Sequence, residues 1–309
     1  MLSKIASAIA LGATLTATVS AHTNVDEWVV GGKPYKGYYQ PGFGDPHNSS
    51  PAWWTSQGEG HDPVMGSQIR TPDIIAHFNG KSSPYSAPIK AGDSVTMTWF
   101  HDGWCEGGKS EKRGEKGWDC SHHGFVDVYL APCHGDCAKV NKEELEFFKI
   151  FEEGLLGYPK GTRYAEGSPK EQTGKWGTDN IFYTADGTEM SNNQLTVTIP
   201  KDIPSDGYVL RAMVMSIHNS NDVDQDGKTS PELSQYWPQA FNLKVTGGKD
   251  GAKAPTGTKG TDLYSLSDEL IAWDLYQHEA GKIVPGAPGP AMYNASKKVR
   301  RAHPKDFSA

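Results

Sequence analysis

Three places among the eleven histidines of the chain stand out by residue type and spacing. His22 follows the small-residue stretch Val19-Ser20-Ala21, His122 and His123 form a pair, and His218 closes a run of alternating apolar residues. No His-Glu-x-x-His pattern occurs, so the helical histidine pair of a metalloprotease is absent. A histidine at a mature N-terminus would offer its free α-amine and its ring Nδ1 to one metal ion, closing a chelate ring. A second imidazole would complete a planar, T-shaped set of nitrogens. Tetragonal nitrogen coordination suits copper, which also stands at the top of the divalent affinity order. A single histidine at a strand end is more often a surface or hydrogen-bonding residue. A metal is therefore indicated by the set of histidines and not by any one of them.

For His22 to become N-terminal, the residues before it must be removed. Lys4 supplies a positive charge, an apolar stretch follows from Ile5 to about Val19, and Val19 and Ala21 flank Ser20 as small residues. That is the pattern of a secretory signal peptide over residues 1–21, with cleavage after Ala21. No later segment reaches the apolar run of about 18 residues that a membrane span needs. A secreted, extracellular protein with no membrane partner is expected. The net charge of −7 leaves no basic footprint for nucleic acid. Four cysteines in an exported chain read as two disulfides, and close spacing suggests Cys105 with Cys120 and Cys133 with Cys137, although four cysteines allow three pairings. A zinc site using Cys133, His134 and Cys137 is the rival reading. Asn48 and Asn294 each open an Asn-x-Ser triplet of the glycosylation form.

Dispersed chemical groups need a scaffold that brings them together. Strand-like runs recur at 93–100, 124–132, 193–200, 207–218 and 239–247, each alternating Val, Ile, Leu, Phe or Thr with polar or small residues. Period two with one buried face predicts an all-β fold, an immunoglobulin- or fibronectin-like antiparallel β-sandwich. With 35 Gly and 20 Pro the connections are long, and segments 32–66 and 101–119 are candidates for functional surface. Tyr35, Tyr38, Tyr39, Trp53 and Trp54 could stack on sugar rings there, or could simply pack against the sandwich. A helix is predicted over 268–280, capped by Ser267 and with Gly281 past its end, with an extended, strand-like tail as the alternative. Residues 248–262 read as a linker. The domain division is then a signal peptide over 1–21, a sandwich over 22–247, and a linker with C-terminal extension over 248–309.

Several segments carry a resemblance. "SHHGFVDVYLAPCHGDC" (121–137), "SAPIKAGDSVTMTW" (86–99), "TVTIPKDIPSDGYVLRAMVMSIH" (196–218) and "YWPQAFNLKVTGG" (236–248) resemble, in order and spacing, the signature segments of fungal lytic polysaccharide monooxygenases of auxiliary activity family nine. "TPDIIAHFNG" (71–80) and the tail 271–293 are similar as well, so the resemblance spans nearly the whole mature chain. It implies one copper ion held by His22 and His122, the latter being the histidine of the family's Ser-His-x-Gly segment. It places the family's oxygen-positioning histidine at His218, its Gln at Gln239 and its axial Tyr at Phe241. Arg211 matches an Arg with an ion-pair or hydrogen-bond role.

The departures are part of the reading. Phe241 keeps an apolar shield but lacks a phenol. A family disulfide is missing, with Ala76 at one expected position and Lys244 at the other. Met213 replaces a Glu, and Phe125 replaces a Pro. Between His218 and Gln239, Asp222, Asp224, Asp226 and Gly227 match the start of a calcium loop, while Glu232 falls one position short of the expected bidentate ligand. A solvated acidic loop is the alternative to calcium. The resemblance implies a monomeric enzyme cleaving a β-linked polysaccharide, cellulose foremost, by oxidation with an external electron donor and oxygen or hydrogen peroxide. The competing expectation is a secreted copper- or carbohydrate-binding protein of the same fold without turnover.

Overall fold

The computed structural model describes residues 23–37, 50–55, 62–101, 122–157, 174–182, 193–217, 231–275 and 286–293, with the Phe100 and His101 side chains set aside. Its strands are β1 (Thr23–Val30), β2 (Lys33–Lys36), β3 (Val64–Met65), β4 (Ala87–Lys90), β5 (Ser94–His101), β6 (Val126–Pro132), β7 (Glu146–Glu153), β8 (Leu155–Gly157), β9 (Lys175–Trp176), β10 (Gln194–Thr198), β11 (Asp206–Ser216), β12 (Gln235–Thr246) and β13 (Thr258–Lys259). Among the described residues, two short α-helices are α1 (Asp73–Ala76) and α2 (Gly177–Phe182). Among the described residues, one sheet runs β10-β5-β1-β2 and a larger one β13-β7-β6-β11-β12-β3, with β4 joining β12 in parallel.

The two sheets face each other across an apolar layer. Val25, Trp28 and Val30 of β1, Met97 and Trp99 of β5 and Leu195 of β10 pack in one cluster with Val126, Val128, Leu130, Leu210, Val214, Trp237 and Phe241 of the large sheet. Each such side chain contributes about 1.5–3 kcal/mol when withdrawn from water, so this layer dominates the stability of the sandwich. On β10 the alternation is visible residue by residue, Leu195 and Val197 buried between exposed Gln194 and Thr196.

The large sheet departs from the one-buried-face expectation. Every residue of β6 is buried, and β11 and β12 are buried along most of their length. Their second face, carrying Tyr129, Val209, Met213, Tyr236 and Ala240, lies under Ile74 and Ile75 of α1 and under Leu263, Tyr264, Leu270 and Leu275. The stretch predicted as a helix is, through residues 267–275, a chain of turns rather than a helix. Asp268 organises it: its carboxylate accepts the Ser265 N–H at 2.8 Å, and its carbonyl accepts those of Ile271 and Ala272, each at 2.9 Å. Leu270, Ile271, Trp273 and Leu275 are all buried, a spacing that matches a sheet surface and not one helical stripe. After residue 247 the chain adds β13 to β7. Further on, the Tyr293 hydroxyl bonds Asp202 at 2.9 Å and Lys149 Nζ bonds the Pro288 carbonyl at 2.6 Å.

A polar cluster sits inside this covered face. Arg211, fully buried on β11, donates to the Ile74 and Ile75 carbonyls at 2.8 and 3.2 Å and to the Tyr264 hydroxyl at 3.0 Å. Asp127 receives the Tyr264 O–H at 2.6 Å and lies 3.5 Å from Arg211 Nη1. The guanidinium carbon is 5.6 Å from the ring centroids of both Tyr129 and Tyr264. Met213, which replaces the expected Glu, puts its sulfur 3.3 Å from Arg211 Nη2, and the acidic partner comes instead from Asp127. Burial raises the Asp127 carboxyl above its usual range, against the pull of Arg211 and Lys149. Burial also holds Tyr129 and Tyr264 as neutral phenols, well above the ordinary tyrosine range.

The missing disulfide is placed differently from the sequence expectation. Lys244 is exposed and pairs with Gly207 and Pro88, whereas Ala76 is buried in the same cluster as Ala240. Ala240, not Lys244, is the residue of β12 that shares an environment with Ala76.

Candidate active site

The segment 122–125 enters β6 with its backbone held on both sides. The His123 and Phe125 carbonyls accept the N–H groups of Ile217 and Met215, each at 3.0 Å, which ties the segment to the end of β11 just before His218. Gly124 is required by closeness: a Cβ there would stand 1.8 Å from the Met215 carbonyl oxygen. Opposite, Thr178 of α2 accepts the Gly124 N–H at 3.1 Å, and its hydroxyl lies 3.2 and 3.4 Å from the Gly124 and His122 carbonyls.

Within this frame the two adjacent histidines have different surroundings. The His123 ring is paired through Nδ1 with the Asp179 carboxylate at 3.2 Å. The His122 ring lies 6.0 Å, centroid to centroid, from that of Trp237, whose cluster also holds Val126, Val128 and Leu130. Both histidines are buried.

The register of β12 corrects two of the expected site residues. Trp237 is level with Val214 and Val126, whereas Phe241 is level with Leu210 and Leu130. Four residues of strand separate them, about 13 Å at roughly 3.3 Å per residue. Phe241 stacks on Trp28 at 4.8 Å and meets Tyr35 edge-on at 5.8 Å, so it is a core residue of the sandwich. Gln239 is likewise a bridging residue: its Oε1 accepts the Val25 N–H at 3.4 Å, and its Nε2 bonds the Pro238 carbonyl. The residues at the His122 end of β12 are Trp237 and Gln235, the latter opposite Ser216. Gln235 is 7 % exposed, and its Oε1 is buried with no hydrogen-bond partner among the described residues.

β1 is oriented toward the same end. Val25 meets Gln239 and Trp28 meets Phe241, so the two strands advance in the same sense, and the Thr23 end of β1 points back toward Trp237. Thr23 itself pairs with His101. His22 is next in the chain.

His22 and His218 lie outside the described residues, as do Asp222, Asp224, Asp226, Tyr38, Tyr39, Cys105 and Cys120. Among the described residues, no three His, Cys, Asp or Glu side chains converge as a metal site, and no helix is long and apolar enough to cross a membrane. Cys133 and Cys137 form a disulfide, so they are not zinc ligands. Of the aromatic candidates, Trp53 is buried with its indole N–H on Asn242 Oδ1 at 2.6 Å, and Tyr35 packs on Phe241. Trp54 is half-buried, with Lys81 Nζ 4.8 Å above its ring.

Fold and site together define an immunoglobulin-like β-sandwich with a buried histidine and an aromatic side chain at the end where the first strand begins. The family model for Auxiliary Activity family 9 (formerly GH61) matches residues 22–282. The chain belongs to this family of lytic polysaccharide monooxygenases. It is 36% identical over 270 residues to the AA9 family lytic polysaccharide monooxygenase A of Thermoascus aurantiacus, covering 86% of this chain and 98% of that one. It is 34% identical over 278 residues to monooxygenase E of Aspergillus tamarii, covering 90% and 93%. Among solved structures, the extended catalytic domain of H. jecorina LPMO9A superposes with a TM-score of 0.66 at 28% identity, covering 88% of this chain and 91% of that one.

Proposed function

We propose that the chain is a secreted, copper-dependent monooxygenase that cleaves a β-linked polysaccharide by oxidation, with cellulose as the substrate and an external reductant and oxygen or hydrogen peroxide as co-reactants. The observation that carries this reading is the family match, which begins at His22 and extends over the sandwich. The geometry supports it: the start of β1 faces the end of β12 where His122 and Trp237 meet.

In this reading cleavage after Ala21 frees the His22 amine, and that amine, the His22 ring and the His122 ring hold the ion. Copper, when bound, supplies a one-electron centre that activates oxygen or peroxide against a C–H bond beside the glycosidic link. The donor set suits it, since neutral imidazoles and an amine favour copper over the hard divalent ions. Trp237 closes the inner side of the site and excludes water from it. Gln235 offers a buried amide oxygen that can orient a polar group at the same end, in the role first expected of Gln239, and His218 is the residue after Ile217 in the sequence. Gln239 instead ties β1 to β12, and Phe241 stabilises the core behind them.

The non-catalytic alternative gains no support from Phe241, which stacks on Trp28, or from Met213, which lies against Arg211. The deciding experiment loads the mature protein with copper, adds ascorbate and incubates it with swollen cellulose. Oxidised oligosaccharides released only with reductant support the reading. Their absence from glucan, xylan and chitin alike, with copper bound, would establish the binding-protein alternative.

A further inference from the structure

His123 stands beside the proposed ligand His122, and its partners form a layer of their own. Its Nδ1 lies 3.2 and 3.4 Å from the two Asp179 oxygens, and both side chains are only 1 % exposed. Asp179 Oδ2 also accepts the Trp176 N–H at 2.7 Å, so the carboxylate is itself fixed. The preceding residue, Thr178, grips Gly124 through its hydroxyl and donates its own N–H to the Gly124 carbonyl at 3.2 Å. From the other side, the Ile217 N–H holds the His123 carbonyl at 3.0 Å.

The Thr178 hydroxyl also lies 3.4 Å from the His122 carbonyl, so the peptide planes on both sides of His123 are held. A rotation at His123 would have to break the Asp179 contact, the Thr178 contacts or the Ile217 bond. Since the Cα of His122 belongs to the plane before His123, the direction from which the His122 imidazole leaves the backbone is set by its neighbour His123 and the groups that hold it. A carboxylate that holds a ligand's surroundings in place tunes metal binding even without touching the metal.

We infer that the His123–Asp179 pair is a positioning device for His122, orienting its ring for the ion. The inference rests on the reading of His122 as a copper ligand. The His123 Nδ1–H donates to Asp179, leaving His123 itself out of the ligand set although it is the adjacent imidazole. The two histidines of "SHHG" thus divide the work, one for the ion and one for the scaffold.

The test uses the mature, copper-loaded protein and its apo form. Asp179→Asn removes the charge and leaves one oxygen for the two donors His123 Nδ1–H and Trp176 N–H, His123→Leu removes the pairing outright, and His123→Asn keeps an N–H donor able to reach Asp179. The inference predicts that the first two weaken Cu(II) binding about 10-fold in competition titrations and change the hyperfine splitting of the Cu(II) electron paramagnetic resonance spectrum. It predicts that His123→Asn restores most of both. In the apo proteins, the His122 ring resonances shift in the first two variants while those of the strand core stay in place. A lowered melting temperature with unchanged copper affinity, spectrum and ring resonances would overturn the inference and leave the pair purely structural. His122→Ala separates the two levels: copper binding unaffected by that change would overturn the copper-site reading and this inference with it. A normal loss in His122→Ala beside silent Asp179→Asn and His123→Leu variants would overturn the inference alone. If Asp179→Asn does not fold, the comparison of His123→Leu with His123→Asn decides.

Discussion

Replacing Arg211 by methionine should be among the most damaging single changes in the sandwich. The side chain is fully buried and gives up four bonds to protein oxygens: three to the Ile74 and Ile75 carbonyls and one to the Tyr264 hydroxyl. It also leaves Asp127 without the cation 3.5 Å away. Methionine restores the apolar volume but none of the donors. Removing one partner of a buried ion pair costs about 3–5 kcal/mol, because the remaining charge is left uncompensated. For a domain of this size each kcal/mol lowers the melting temperature by roughly 2–4 °C, so a fall of about 6–20 °C is expected by calorimetry. Adding Asp127→Asn removes the stranded carboxylate and should return part of the loss, since residues in one network couple strongly. A fall of less than about 1 kcal/mol for Arg211→Met, or a double variant that is simply the sum of the singles, would refute the claim that these residues act as one buried pair.

Three further outcomes follow from the same geometry. Burial raises the folded-state value of Asp127 above its ordinary 3.8, so the folded protein holds this proton more tightly than the unfolded chain. Its contribution therefore favours folding fully below about pH 3.8 and is lost as pH rises through the folded-state value; the stability difference between wild type and Asp127→Asn should shrink with rising pH in melting curves, and a difference that grows instead would contradict the direction. Gly124→Ala should cost roughly 2–4 kcal/mol, because the added carbon displaces the Met215 carbonyl and loosens the bonds from Met215 and Ile217; copper binding should weaken with it in a titration, and a variant as stable as wild type would remove the close-approach argument. Phe241→Tyr should leave the Cu(II) spectrum unchanged, since Phe241 stacks on Trp28, while Trp237→Phe should alter it; the opposite pattern would restore Phe241 to the site.

Much of the fold was readable where burial is one-sided. β5 and β10, alternating between core and solvent, announce themselves by period two. β7 does not, because Phe147 faces the outer cluster and Phe148 the inner one, so that adjacent residues are both apolar. The turns of 267–275 read as a helix because Ser267 and the acidic residues after it form a capping signal, whereas Leu270, Ile271, Trp273 and Leu275 are spaced for the flat face of β6, β11 and β12 that they cover. For the site, "SHHG" marks the segment that the proposal uses, yet nothing local distinguishes His122, the proposed ligand, from His123 except the Asp179 contact that α2 supplies. On β12 the residues proposed for the site lie four places before those that the resemblance implies, for a physical reason. Gln235-x-Trp237 and Gln239-x-Phe241 both put a Gln two places before an aromatic on the same strand face, and only the pairing with β11 shows which of them reaches His122.

The central claim is that the freed end of the chain and His122 together hold one copper ion. It is tested most directly by the Cu(II) electron paramagnetic resonance spectrum of the mature protein, its N-terminus established by mass spectrometry, beside that of His122→Ala. The account predicts a chain beginning at His22, one copper per molecule and an axial, nitrogen-coordinated signal that is lost or transformed in the variant. A mature chain beginning elsewhere, or an identical signal at full stoichiometry in His122→Ala, would contradict it.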